Sequence, residues 1–427
     1  MNGLIMIMIF ATTCAEFLAT SRVLPFAVKY LPEAASAVAL LCAVVLGITN
    51  GFKYLRPIYW LLLGGSIVVL ACGALANHLE PGPLFTGMRS YLRPMPFFLL
   101  PAVYLFSEAQ LSRQLKMLLG IALLQLPIAV FQRYSTLAKG NSTGDATAGT
   151  LLLSGFLSIF LISAACVLTA AYMKRRIPLR VFIPLFLLVV FPTMINETKV
   201  TIFLLPLGIV GTFIAGSERG VRAKNALVAV GLLTLFGAIF VPVYDYLVVQ
   251  GHGFHNPTIG DFVSGNRMTK YLGTGATVGA KEKAGRLDGI EVPLQEIAKD
   301  PVTLTFGFGI GNVSDSSLGS QFVGRYFHLY SPFILSAAST FIFEIGVLGL
   351  ILVLLFYWFI YRDARWLAER DSGLFGTVAV AWGSVTVIIA ATTFYTGIDL
   401  STAISCLFWY FAGVVAARRS SIEQINA

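Results

Sequence analysis

The segment AGRLDGIEVPLQEIAKDPVTLTFGFGIGN, residues 284–312, lies inside the one long polar interruption of an otherwise apolar chain of 427 residues. The interruption runs from about Val249 to Phe327 and carries Arg267, Lys270, Lys281, Lys283, Arg286, Lys299 and Arg325. Roughly nine apolar runs precede it and three follow, each near the ~17–25 residues a helix needs to cross a bilayer core. Backbone amides in hydrocarbon must be bonded within their own segment, so these runs read as helices. Transmembrane strands would alternate polar and apolar residues, and these runs do not. A hydrophobic fraction of 57% with only 12% charged residues excludes a soluble globular domain.

The expected fold is an all-α polytopic membrane protein with about 12 transmembrane helices and one large loop. Helices one to nine occupy 1–248, the loop with short helices occupies 249–329, and the last three helices with a tail occupy 330–427. The spans are expected near 2–19, 34–50, 57–76, 92–107, 114–132, 149–173, 180–196, 199–216, 223–247, 330–360, 374–395 and 399–417. The tenth is too long for one straight crossing, so its first two turns are expected in the interface. The first, Leu4 to Leu18, lacks a positive n-region and a cleavage site, and reads as a retained helix.

More than half of the 30 Lys and Arg fall in alternate connections, chiefly 173–180, 217–224, 361–373 and the C-terminus. Positively charged loops stay in the cytoplasm. Both termini are therefore expected there, with the long loop on the outer side. The +9 net charge is mostly this topology signal. It does not indicate nucleic acid, because the cations are dispersed and no nucleic-acid-binding motif occurs. Cys14, Cys42, Cys72, Cys166 and Cys406 all lie in apolar spans, which suggests neither a disulfide framework nor a thiolate metal site.

Within the loop, Leu287, Ile290, Leu294 and Ile297 follow helical spacing. Pro293 predicts a kink, or a helix that begins near Val292, and Asp300-Pro301 ends it. Phe306-Gly307-Phe308-Gly309-Ile310-Gly311-Asn312 follows. Its alternating glycines allow a tight turn or a close backbone approach, and the turn reads as structural rather than substrate-touching. No strand–turn–helix unit surrounds it, so it is not a dinucleotide fingerprint. Arg325-Tyr326-Phe327-His328 leads back to the membrane, and Glu344-Ile345-Gly346-Val347-Leu348-Gly349 lies in the tenth span. Asn196-Glu197-Thr198-Lys199 separates the seventh and eighth spans.

In this order the motifs resemble the O-antigen ligase and Wzy-type polysaccharide polymerase superfamily. The likeness is clearest over 190–350, and hydropathy and loop placement extend it to the rest. It implies a C-type glycosyltransferase-like fold in a bacterial inner membrane. It also implies a metal-independent, inverting glycan transfer from undecaprenyl pyrophosphate at the periplasmic face, with no cofactor. The ligase branch uses lipid A–core as acceptor, and the polymerase branch uses a second lipid-linked repeat unit of an O-antigen or exopolysaccharide. A chain-length regulator and other polysaccharide assembly proteins are the protein partners the resemblance admits. Lys199 matches the family's basic turn, and His328 its histidine. Leu329 follows that histidine, and the Gly-x-x-Gly pair lies about two helical turns farther on than in the family pattern, close enough to keep the same helix face. Both features favour the polymerase branch.

The chemistry fits the residues independently. Breaking a sugar–phosphate bond leaves negative charge on the diphosphate. Arginine grips phosphate oxygens bidentately and stays ionised, and a donor aimed at developing charge supplies ~3–4 kcal/mol. Arg286 is the first candidate, Lys199 the second, and Arg325 and Arg267 follow. His328 could accept the acceptor hydroxyl's proton. No Asp-x-Asp pair occurs in an outer loop to hold a bridging divalent ion.

Each candidate has a plainer reading. Arg286 could be a loop cation or an ion-pair partner of Asp288 or Glu291. Lys199 and Glu197 could be a snorkelling interfacial pair. His328, Tyr326 and Phe327 could belong to an aromatic belt. Glu344 could bind substrate or be a hydrogen-bonded structural glutamate. Arg89 and Arg93 suit interface anchors better than contacts to lipid phosphate. His252 and His255 lack further metal ligands. The rival class is a secondary transporter or flippase, which would show repeated halves and broken helices; the sequence shows neither clearly.

Overall fold

The computed structural model describes residues 1–139, 146–196, 198–217, 222–250, 258, 260, 273, 284–316, 318–397 and 401–425. All regular structure among them is helical. Eight helices are long and apolar enough to cross a membrane: α1 Asn2–Thr20, α2 Phe26–Asn50, α3 Pro57–Ala76, α6 Glu108–Ala138, α7 Ser154–Met173, α10 Lys224–Tyr246, α14 Ala337–Arg370 and α15 Leu374–Thr393. Two shorter apolar helices, α8 Leu179–Ile195 and α9 Thr201–Gly216, flank the Asn196 turn. Helices α4 Pro81–Leu92 and α5 Met95–Val103 follow α3, and α16 Thr402–Ile425 ends the described chain. Between α10 and α14 lie α11 Asp288–Ile297, α12 Pro301–Phe306 and α13 Phe327–Tyr330.

Local chemistry sets the ends of these helices. Pro57, Pro81, Pro96 and Pro301 stand in first turns, where a missing N–H costs nothing, and Pro32 stands where the 3-10 turn Phe26–Tyr30 of α2 passes into α-helix. Ser107 and Gln110 form a reciprocal capping box ahead of α6. Apolar side chains such as Ile48, 80% exposed, and Leu75, 76% exposed, form an outward belt suited to acyl chains. Inside, small residues let backbones approach. A Cβ on Gly413 of α16 would lie 2.4 Å from the Phe98 carbonyl oxygen of α5.

Two expected spans differ in form. The fourth, expected over 92–107, is split at Pro94 into α4 and α5, and α5 alone rises only about 14 Å. The tenth, expected to begin at residue 330, begins at Ala337, where the Ser336 hydroxyl accepts from the Ser339 amide. It then breaks at Gly346, whose φ of 66° and ψ of −171° are not helical. The expected two extra turns carrying one continuous face are therefore a separate short helix, and the expected absence of broken helices does not hold. The late start offered for the loop helix is also corrected: α11 begins at Asp288 and runs through Pro293. It buries Asp288, Gly289, Pro293 and Ile297, while Leu287 and Leu294 are exposed.

At the end of α14 remote from the loop, the buried Asp363 accepts from Arg56 Nη1 at 2.5 Å, Arg419 Nη1 at 2.7 Å and the Tyr59 hydroxyl at 2.8 Å. Lys174 Nζ donates to the Ala368 carbonyl at 2.7 Å, and Arg418 pairs with Asp371 at 3.2 Å. Cations expected on one side of the membrane thus meet at one end of the bundle.

Candidate functional site

Residues 284–316 and 318–336 form a cap over the other end, where α14 begins. Pro293 supplies no amide to the Gly289 carbonyl one turn back. The Ser339 hydroxyl of α14 donates to that carbonyl instead, and so pins α11 to α14. A side chain on Gly289 would lie within 3.2 Å of Ser339, Leu335 and Phe333 atoms, so glycine allows the contact.

The glycine turn is the second anchor. The Phe308 amide donates to the Phe343 carbonyl at 2.6 Å, just before the break in α14. Asn77, at the end of α3, donates to the Gly307 carbonyl at 3.1 Å. Gly311 has φ of 78° and lies against Gly87 and the Pro83 carbonyl of α4. The turn is thus buried against α3, α4 and α14.

Glu344 fastens the same corner. Its Oε1 accepts from Ser314 Oγ at 2.7 Å and from the Val313 amide at 3.3 Å. Phe308, Tyr326, Tyr330 and Phe343 form an aromatic stack, with Tyr330 and Phe343 centroids 4.6 Å apart. The Tyr330 hydroxyl donates to Glu296 at 2.9 Å, and Lys299 donates to the same carboxylate at 2.7 Å. Burial, then the Glu296 bond, pushes the Tyr330 hydroxyl up to about 12. The Lys299 hydrogen bond holds Glu296 below the usual carboxylate range against its partial burial.

Arg286 sits half-buried at the turn ahead of α11. Its Nη1 donates to the Leu335 carbonyl, and its guanidinium carbon lies 5.0 Å from the Tyr395 ring centroid, just past α15. The guanidinium is thus held where α14 begins and α15 ends. Asp288 is buried, and its Oδ2 accepts from the Gly285 amide at 2.7 Å. Arg325 is exposed, with its guanidinium carbon 5.6 Å from the Tyr326 centroid. His328 is exposed on α13, edge-on to Phe327 with centroids 5.4 Å apart. Lys199 is half-buried in a turn that Asn196 fastens. The Asn196 amide donates to Ser158 Oγ at 2.9 Å and to the Ser154 carbonyl at 3.0 Å, and its Oδ1 accepts from the Thr198 amide at 3.1 Å. Arg267, Glu197, His252 and His255 lie outside the described residues.

Arg89 and Arg93 are brought together. Both donate to Glu33 Oε1, at 2.5 and 3.2 Å. With Lys29 and Glu16 they line a cavity of about 200 Å³. On the other face of the same α4–α5 hinge, Ser90, Tyr91 and Met95 line a second cavity of about 110 Å³ with Glu344, Ser314 and Trp409. Sequence reading missed Lys29 and Glu33 as members of this cluster. Residues 20–33 have no periodic pattern to place them, and the tertiary contacts of Glu33 and Ser36 with Arg89 and Arg93 bring them to α4. It also missed Tyr395 as the surface against which Arg286 rests. No family model matches the chain, and no curated protein matches its sequence.

Proposed function

We propose that this protein is a polysaccharide polymerase of the bacterial inner membrane. In this reading it transfers a glycan from undecaprenyl pyrophosphate to a second lipid-linked repeat unit at the periplasmic face, without metal and with inversion. The observation that supports it most is the setting of Arg286. A cap pinned at Gly289 and Gly307 holds one always-ionised guanidinium at the rim of an apolar bundle. Polyprenyl chains would lie along the exposed apolar belt, and the diphosphate at the rim beside Arg286. As the glycosidic phosphate bond breaks, charge gathers on the departing diphosphate, and a fixed fork of donors stabilises it more than it stabilises the ground state. Lys199 would add a point charge from the Asn196-fastened turn. His328 would accept the proton of the attacking hydroxyl.

Elongation by purified protein in membranes supplied with lipid-linked repeat units tests the reading. Arg286→Ala is expected to slow elongation by about 10²–10³, the cost of removing one donor to a developing oxyanion. Arg286→Lys is expected to recover only part of it, because the fork is lost. In cells that lack the protein, accumulated single repeat units are the polymerase outcome, whereas long unattached chains would assign the protein to the ligase branch. Wild-type elongation by a folded Arg286→Ala protein would remove the assignment.

A further inference from the structure

The cavity between α1, α2 and α4 is lined mostly by polar and charged side chains, and its charges do not close on themselves. Lys29, Arg89 and Arg93 face Glu33 and Glu16 across about 200 Å³. Each guanidinium has five N–H donors. Glu33 takes one from Arg89 and one from Arg93, both on the same oxygen, Oε1. Its other oxygen, Oε2, and Arg93 Nε are buried with no hydrogen-bond partner among the described residues. A purely structural ion pair satisfies its buried atoms, and this one leaves a donor and an acceptor over. Lys29 Nζ has aromatic company, 3.8 Å from the Phe26 centroid and 4.9 Å from that of Tyr30. The arginines are fixed in place: Ser36 Oγ donates to the Arg93 carbonyl at 2.6 Å, and α4 is seated on the cap through Thr86, whose hydroxyl donates to the Phe322 carbonyl at 3.1 Å. Thr12, Glu16 and Thr402 also line a neighbouring cavity of about 240 Å³, bounded by Leu151, Leu153 and Phe156. A cationic pocket therefore adjoins a partly apolar one.

We infer that the Lys29–Arg89–Arg93 cavity is a second phosphate site, separate from Arg286, which takes the diphosphate of a polyprenyl-linked substrate. Surplus guanidinium donors suit the phosphate oxygens. Assigning this site to the acceptor unit, with Arg286 on the donor unit, rests on the polymerase reading above.

The test uses the full chain in phosphatidylcholine nanodiscs, with undecaprenyl diphosphate binding followed by native mass spectrometry. Wild type is expected to bind two copies and Arg286→Ala one. Lys29→Ala leaves the Glu33 pairs intact, so the fold is spared, and it is expected to weaken the remaining copy about tenfold, the loss of roughly one charge-assisted contact. Arg89→Gln combined with Glu33→Gln keeps the local charge balance and is expected to weaken it further. Inorganic pyrophosphate and phosphatidylglycerol serve as competitors. Displacement by pyrophosphate assigns the site to the phosphate group itself, and displacement by phosphatidylglycerol alone would make it an ordinary headgroup site and overturn the inference. Unchanged affinity in both cavity variants would overturn it too, even where elongation continues and the polymerase reading stands. A protein that binds at this cavity yet elongates nothing would keep the site and remove that reading.

Discussion

Pro293 removes one amide from the middle of α11, and the consequence crosses to another helix. The Gly289 carbonyl it leaves free is taken by Ser339, 50 positions along the chain. Ser339→Ala should therefore destabilise the cap by about 1–3 kcal/mol, the cost of an unsatisfied buried acceptor. In a Pro293→Ala background the helix can bond that carbonyl itself, so the same substitution should cost clearly less. A double-mutant cycle followed by limited proteolysis of the cap measures the difference. Equal costs in both backgrounds would mean that Ser339 does not replace the missing helix bond. The proline was legible in the sequence as a break or kink, because that is its local effect. Its repair was not, since nothing near residue 293 names a serine on a distant helix. Arg286 is a similar case. Its place at the head of an amphipathic turn could be read from spacing, but Tyr395 and the Leu335 carbonyl are tertiary neighbours that no local pattern carries.

At the scale of elements, hydropathy marks where apolar residues run together, and each of the eight helices long and apolar enough to cross a membrane falls on an expected span for that reason. It cannot mark a break whose cause lies in another element. Gly346 leaves the helix because the loop backbone passes there: a Cβ on it would lie 2.4 Å from the Thr305 carbonyl and 2.6 Å from the Gly307 amide. Its φ of 66° with an extended ψ is a region that side-chain-bearing residues avoid at a cost of ~1–3 kcal/mol. Gly346→Ala is thus expected to lower thermal stability by several degrees and to raise protease sensitivity within 301–311, because the clash falls on the docked loop. Gly120→Ala, in a helix position with nothing within 4 Å, should be neutral or slightly stabilising. Matching effects from the two substitutions would show that the break does not depend on loop docking. A broken membrane helix in a transporter exposes backbone to a bound solute. Here the break is filled by the cap's own glycine turn, which favours a fixed roof over a moving gate.

The whole molecule has two charged ends of different character. One gathers Arg56, Arg419 and Tyr59 on Asp363, with Lys174 and Arg418 nearby, in a closed ionic lock. The other carries the cap, Arg286 and the unclosed Lys29–Arg89–Arg93 cluster. Asp363 lies about 25 Å along α14 from Gly346, most of a bilayer core. The charge bias of the loops predicts the locked end in the cytoplasm and the cap on the outer side. Polyprenyl-linked glycan transfer in the periplasm requires that orientation, since a cap in the cytoplasm could not meet its substrate. Single cysteines at the exposed Ser320, in the cap, and the exposed Ser372, at the locked end, can report it with a membrane-impermeant maleimide. The native cysteines are buried or half-buried within helices and should label poorly. In intact cells with a permeable outer membrane, Ser320→Cys should label at once, and Ser372→Cys only after the inner membrane is opened. The opposite pattern would turn the molecule over and remove the proposed reaction, while leaving the fold, the pinned cap and the anion cavity as they are.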